Sequence, residues 1–389
     1  MMKILKLSVL LCLLSSVIFT QEKKNVELKV PDIKANTWVD AKLNYIIPEK
    51  YHSKNWSTTD GFCDSLYRSK TGSILIRTGI ISKKLGIYPG YYSNTQMEWN
   101  LATNKVEVID VFNWGGGSGG KGKLLPGFKE NPSPGPRHTY DGMAYDSDED
   151  AMYLMLGAYY KTGGVKAEEE AKKQLALDAK STWKFTFKDR KWHRIEGNVN
   201  QLWKGLSPFE LHLEYWPSAK KILYLGGNGK SYAEFDTKTQ KWTKVKLKNR
   251  LPVGTFGARS TWDSKREHWV FRLGSSVGYI DPKTKSCSSL PKLPDKFSVV
   301  KEGRKSWHRY KSIAYISKHD VFIVTGETGN DTYVYDHKTK KWEQVLGDEL
   351  KLPNGYIEYD VKTDLIGLVS NKVAYKFRYV PVIKNVRNE

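Results

Sequence analysis

The chain has 389 residues, a formal net charge of +21 and 3 cysteines. So few cysteines exclude a disulfide-stapled scaffold, so stability has to come from a buried core, for which the length is ample. Past the first residues no apolar run approaches the ~20 needed for a membrane-spanning helix, which excludes a transmembrane protein of that kind.

Residues 1–21 read as a secretory signal peptide. Lys3 and Lys6 form a basic start, Leu7 to Phe19 is apolar, and Glu22-Lys23-Lys24 turns abruptly to charge. Cys12 follows Leu11, where a lipid-anchor signal would carry Gly or Ala. The chain is therefore expected to be secreted or periplasmic, with residues 22–389 as a single domain and a monomer. Cys63 and Cys287 remain, in different repeats. For an exported protein the positive field favours anionic polysaccharide or a cell-surface glycan, and no nucleic-acid role is expected. Many lysines sit in turns, as do Lys238, Lys241, Lys338 and Lys340, where they also aid solubility.

The chain is organised by repeats. Arg137-His138-Thr139-Tyr140-Asp141-Gly142-Met143-Ala144-Tyr145 returns as Trp307-His308-Arg309-Tyr310-Lys311-Ser312-Ile313-Ala314-Tyr315. With Tyr145 as ruler, an aromatic opens equivalent units at Tyr67, Tyr215, Trp262, Tyr315 and Tyr359. Each unit predicts four short strands. In the third they are Leu211 to Trp216, Ile222 to Leu225, Tyr232 to Asp236 and Trp242 to Val245, with turn residues between. A second ruler lies in the outer half of the unit, where Phe235 to Trp242 matches Tyr335 to Trp342 and Phe185 to Trp192. Asp and Thr there predict a tight turn, with aromatics packed across it.

The apolar strand, the pair Gly226-Gly227 and the apolar-Asp turn ending in Trp resemble the kelch motif. That resemblance covers nearly all of the mature chain and implies an all-β, galactose-oxidase-like β-propeller of four-stranded blades. Six blades are expected. The sixth unit supplies three strands, ending near Phe377 and Tyr379, and Thr37-Trp38-Val39 is expected to complete it and close the ring. A seventh blade has room between Tyr45 and Asn113. Two inserts interrupt the units: Gly115 to Gly122 opens a loop running to Pro136, and Val165 to Lys180 predicts one short surface helix. Both fall on the face where the innermost strands begin, as does Ile80 to Asn94, so that face is expected to carry function.

Side chains alternate along a strand. Three residues before each ruler stand Asp64, Gly142, His212, Arg259, Ser312 and Tyr356, nearly all polar and expected to face the channel. Two residues before it the chain is mostly apolar and fit for packing between blades. Further up the polar stripe come Tyr140, Glu210 and Tyr310, then His138 and His308. The candidate site is therefore His138, Tyr140, His212, Arg259, His308 and Tyr310. Eliminative cleavage beside a uronate needs a cation on the carboxylate, a base and a proton donor, and Arg, His and Tyr fit these roles. The whole is similar to the propeller polysaccharide lyases, including ulvan lyases, which implies such a site at the channel mouth. Hydrolysis would use two carboxylates, for which Asp64 and Glu210 are the candidates. The motif boxes and arginine trio of a sialidase are absent, and the residues do not supply the copper ligands of galactose oxidase. His138 with His308 is a candidate zinc pair, but no cofactor or metal is called for. The alternative is a non-catalytic carbohydrate- or protein-binding module, with Tyr88, Tyr91, Tyr92, Trp114 and Trp203 as stacking surfaces.

Overall fold

The structure, a computed structural model, describes residues 33–46, 56–57, 65–80, 95–110, 114–115, 123–124, 128–135, 137–139, 141–156, 158–159, 169–203, 211–297, 312–326, 331–345, 349–353, 355–370 and 373–381. Its strands form six antiparallel four-stranded blades. From the channel outward, blade 1 is Ser65–Arg68, Ser73–Ile80, Thr95–Asn100 and Lys105–Val108. Blade 2 is Met143–Asp146, Ala151–Met155, Ser181–Thr186 and Lys191–Glu196. Blade 3 is His212–Trp216, Lys221–Leu225, Ser231–Asp236 and Lys241–Lys246. Blade 4 is Arg259–Asp263, His268–Leu273, Ser276–Asp281 and Ser286–Ser289, and blade 5 is Ile313–Ile316, Val321–Val324, Tyr333–Asp336 and Lys341–Gln344. Blade 6 is Gly355–Asp360, Leu365–Ser370 and Val373–Phe377, completed by Trp38–Asp40 in the register Trp38 to Phe377. The innermost strands touch in cyclic order from blade 1 to blade 6 and back to blade 1. The molecule is a six-bladed β-propeller closed by its N-terminal strand.

The stretch with room for a seventh blade instead thickens the first. Asn44–Ile46 adds to the outside of Lys105–Val108 in parallel, and Trp56–Ser57 pairs with the end of Ser73–Ile80.

The turns form for the reasons their composition suggests. In the outer hairpins Asp236 Oδ1 accepts from the Thr239 amide at 2.7 Å, Asp281 Oδ1 from Lys283 at 2.9 Å, and Asp336 Oδ1 from Lys338 at 2.7 Å. Each turn then reverses through one left-handed residue, Gln240, Lys285 or Lys340, with φ of 56°, 59° and 57°. Phe235 and Trp242 pack across the hairpin with ring centroids 5.0 Å apart, and Tyr335 and Trp342 do so at 5.3 Å.

The apolar core lies between the blades. One cluster joins blades 2 and 3 through Tyr153, Leu213, Tyr224 and Phe235, and another joins blades 5 and 6 through Ile323, Val334, Ile357 and Trp38. Blades 6 and 1 approach so closely at Gly367 that a Cβ there would lie 2.4 Å from Ile74 Cδ1. At that junction Lys376, fully buried in blade 6, donates its ammonium to the Leu101 carbonyl.

A polar latch ties three junctions at the ends of the innermost strands. Tyr145, Tyr315 and Tyr359 each donate to the aspartate five residues on, Asp150, Asp320 and Asp364, at 2.9, 2.8 and 2.9 Å. The preceding blade supplies a cation to each: Arg68 at 2.7 Å, Arg266 at 2.7 Å and Lys318 at 2.6 Å. Burial opposes the charge on Asp150 and Asp320, but the arginine on each holds its carboxyl below the usual value.

The expected insert helix is Glu169–Asp178, its buried side formed by Ala171, Leu175 and Asp178. Asp178 fastens it by accepting from Trp183 Nε1 at 2.5 Å and the Gly135 amide at 2.7 Å. The glycine-rich loop springs from a short antiparallel pair, Trp114–Gly115 with Lys123–Leu124. Cys287 is buried, which pushes its thiol up to about 11, and Cys63 lies outside the described residues.

Candidate functional site

A cavity of about 200 Å³ occupies the channel, and all six blades contribute to its wall. Of the polar stripe, Arg259, Ser312 and Tyr356 line it. Of the places two residues before the rulers, Met143, Leu213, Ile313 and Ile357 are buried and pack between blades, with edges bordering the cavity, whereas Ser65 and Ser260 line it and donate to Glu358 and Asp141. The wall changes sign along its length. Arg259 stands at the first residue of its strand, whereas Glu214 and Glu358, one residue before their rulers, lie further along.

Among the described residues a polar cluster in this wall is centred on Asp141. Its Oδ1 accepts from Arg259 Nη1 at 2.7 Å, and its Oδ2 from Ser260 Oγ at 2.6 Å and His212 Nδ1 at 2.6 Å. The other imidazole nitrogen, Nε2, lies 2.9 Å from the Thr255 carbonyl. Both nitrogens thus face oxygen acceptors. The Arg259 guanidinium carbon sits 3.7 Å from the centroid of the Tyr356 ring, a cation–π stack that fixes its plane. The Phe271 and His212 rings meet in a T-shaped contact with centroids 5.3 Å apart. Burial works against the charge on Asp141, but Arg259, with His212 and Ser260, holds the carboxyl below its usual value.

The backbone positions Asp141 for this. The Gly142 amide donates to the Thr139 carbonyl at 2.8 Å, closing a turn just before the first strand of blade 2. A Cβ at Gly142 would meet that carbonyl at 2.5 Å and Leu211 Cδ1 at 2.1 Å, so the close approach requires glycine. The Asp141 carbonyl then accepts from the Leu213 amide at 2.8 Å, stitching blade 2 to blade 3.

Of the six candidates, the fold brings His212 and Arg259 together, from adjacent blades, on a shared carboxylate from a third. Both are buried, at 1% and 7% exposure, so they form part of the wall rather than projecting from it. His138 belongs to the short strand Arg137–His138, which pairs with Ala158–Tyr159. Tyr140, His308 and Tyr310 lie outside the described residues, as do Asp64, Glu210, Tyr88, Tyr91 and Tyr92. Trp203 is half-buried between Tyr224 and the ammonium of Lys244. Asp141 itself escaped the strand register, because the Thr139–Gly142 turn resets the alternation counted back from Tyr145. Its place between Tyr140 and Gly142 in the most repeated stretch was the available signal. Among the described residues no cluster of three or more His, Cys, Asp or Glu is arranged to hold a metal ion.

No protein-family model matches the chain, and no curated protein matches it. Solved structures do. A structural-genomics protein from Bacteroides thetaiotaomicron aligns with 12% identity and a TM-score of 0.46 over 79% of this chain, which spans just under two thirds of that protein, 66%. Virginiamycin B lyase from Staphylococcus aureus aligns with 12% identity and a TM-score of 0.39 over 84% of this chain and 87% of its own. The extracellular domain of a putative one-component system of B. thetaiotaomicron gives 14% identity and a TM-score of 0.41, over 87% of this chain and 36% of its own. The propeller assignment rests on the six sheets and their cyclic contacts, not on these likenesses.

Proposed function

We propose that the protein is an exported, kelch-like propeller that binds an anionic polysaccharide at the end of the channel marked by Arg259. The observation that carries this reading is the pre-set guanidinium, held edge-on by Asp141 and face-on by Tyr356. A planar cation fixed in this way loses little entropy on recognising a carboxylate or sulfate, because its orientation is already determined. The carboxylates further along the channel confine an anionic ligand to that end.

A second reading, β-elimination at a uronic acid, is supported by where Asp141 sits. His138 and Tyr140, candidates for base and proton donor alongside His308 and Tyr310, stand three and one residues before the carboxylate that holds the clamp. In both readings the protein is mixed with polyuronate and sulfated polymers while binding and the ultraviolet absorbance of unsaturated uronate are followed. Retention without absorbance selects the binding module, and rising absorbance selects the lyase. Arg259→Lys keeps the charge but not the fork, and is expected to weaken binding or turnover at least about tenfold, or ~1.4 kcal/mol. Full activity or affinity in Arg259→Lys, His138→Ala and His308→Ala alike would remove the channel from consideration.

A further inference from the structure

Away from the channel, the outermost strand of blade 3 and the segment leaving it read Lys241-Trp242-Thr243-Lys244-Val245-Lys246-Leu247-Lys248-Asn249-Arg250. That is five cations in ten residues with no carboxylate. All five are exposed, and none enters an ion pair among the described residues. The fold concentrates them further. The Leu247 amide donates to the Lys230 carbonyl at 3.0 Å and the Lys248 amide to the Lys285 carbonyl at 2.8 Å, so two more exposed lysines join the row from a blade 3 loop and a blade 4 turn. Lys244 lies over the half-buried Trp203 ring at 4.8 Å, an attraction that anchors the side chain without cancelling its charge.

Protection of an exposed sheet edge by lysine is a common use of such residues. The other outer strands achieve it with mixed, acidic or neutral sequences: Lys191–Glu196 ends in an acid, Lys341–Gln344 contains Glu343, Trp38–Asp40 ends in an acid, and Asn44–Ile46 and Ser286–Ser289 carry no charge. Edge protection therefore does not account for the one-signed run on blade 3. Charges of one sign crowded on a rigid surface repel one another, and a polyanion relieves that repulsion.

We infer that the blade 3 edge, through Lys230, Lys244, Lys246, Lys248, Arg250 and Lys285, is a second binding track for a linear anionic polysaccharide, outside the channel. Lys244 and Lys246 alternate on the strand, about 7 Å apart, Lys248 and Arg250 carry the row past the strand's end at Lys246, and Lys230 and Lys285 are held beside it by the two backbone bonds. Such a row suits one flexible charged chain better than the two phosphate rows of a duplex or the breadth of a membrane. The choice of a glycan rests on the function proposed above; the track itself rests on the charge row.

The test compares the full-length protein, the triple variant Lys244→Gln/Lys246→Gln/Lys248→Gln, and Arg259→Lys on immobilised heparin and polygalacturonate, with neutral dextran as control. The triple variant is expected to elute at clearly lower salt and bind at least tenfold more weakly, while its thermal midpoint stays within a few degrees. Lys246→Glu with Lys248→Glu serves as a second variant should the first fail to fold. Unchanged retention of the lysine variants, or tighter binding of wild type to duplex DNA or phosphatidylserine vesicles than to both polymers, would overturn the inference. Unchanged behaviour of Arg259→Lys, with loss in the lysine variants, would overturn the channel reading alone.

Discussion

Arg259, the first residue of blade 4, donates a 2.7 Å hydrogen bond to Asp141, which enters blade 2 on the other side of blade 3. The bond spans 118 residues of sequence, and His212 of the intervening blade binds the same carboxylate. Three blades are therefore keyed together by one buried charge. Removing that charge breaks a buried ion pair, a loss typically of about 3–5 kcal/mol. Asp141→Asn is expected to lower stability in urea by that order, and more than Ser260→Ala, which removes one hydrogen bond to the carboxylate, worth ~1.5–3 kcal/mol. Because the folded carboxyl titrates below its usual value of 3.8, its contribution is complete above that pH and is lost as pH falls through the lower folded value. The gap between wild type and Asp141→Asn should therefore narrow on strong acidification. A gap of equal size at pH 7 and in strong acid would contradict this account.

Ring closure makes a second prediction. Trp38 is 2% exposed, lies 4.9 Å from the Phe377 ring and donates Nε1 to Thr332 Oγ1 at 3.0 Å. Trp38→Ala should cost ~3–5 kcal/mol, as for other buried aromatics. Truncation before Asn44 should do more, because it also bares the edge of Val373–Phe377. A truncated protein with normal solubility and melting temperature would refute closure by this strand.

The third concerns Lys376, whose ammonium is pushed down by burial from 10.5 to about 8. Between those values the unfolded chain holds more protons than the folded one, so stability rises with pH across that window. Below about pH 8 the buried charge costs on the order of 2 kcal/mol. Stability measured from pH 7 to 10.5 should climb in wild type relative to Lys376→Met, which has no ammonium to lose. Parallel curves for the two proteins would exclude the effect.

The hairpins, the six units and the closing strand were all legible in the sequence, because each depends on local pattern: an aromatic ruler, an Asp-led turn, an apolar stretch of period two. The latch went unread: an aspartate does stand five residues after Tyr145, Tyr315 and Tyr359, but its cations come from neighbouring blades and share no common offset. Arg272 shows what local pattern does not carry. It sits inside an apolar strand, 0% exposed, and donates to the carbonyls of Gly274 and Ser312 at 3.1 and 2.6 Å, bridging blades 4 and 5. Lys376 and Asp141 are of the same kind. Each is a charge whose partners are fixed only when the ring is assembled.

The strand that closes the ring has a history as well as a position. Trp38 is made 339 residues before its partner Phe377, and at about 5–20 residues per second roughly 20–70 s separate the two during synthesis. For that interval the first blade-forming segment of the chain has no blade to join. Its Trp and Val side chains remain available to any other unpaired edge, including the same edge on a neighbouring nascent chain. The device that removes an open edge from the finished molecule thus creates a window for strand exchange while the molecule is being made.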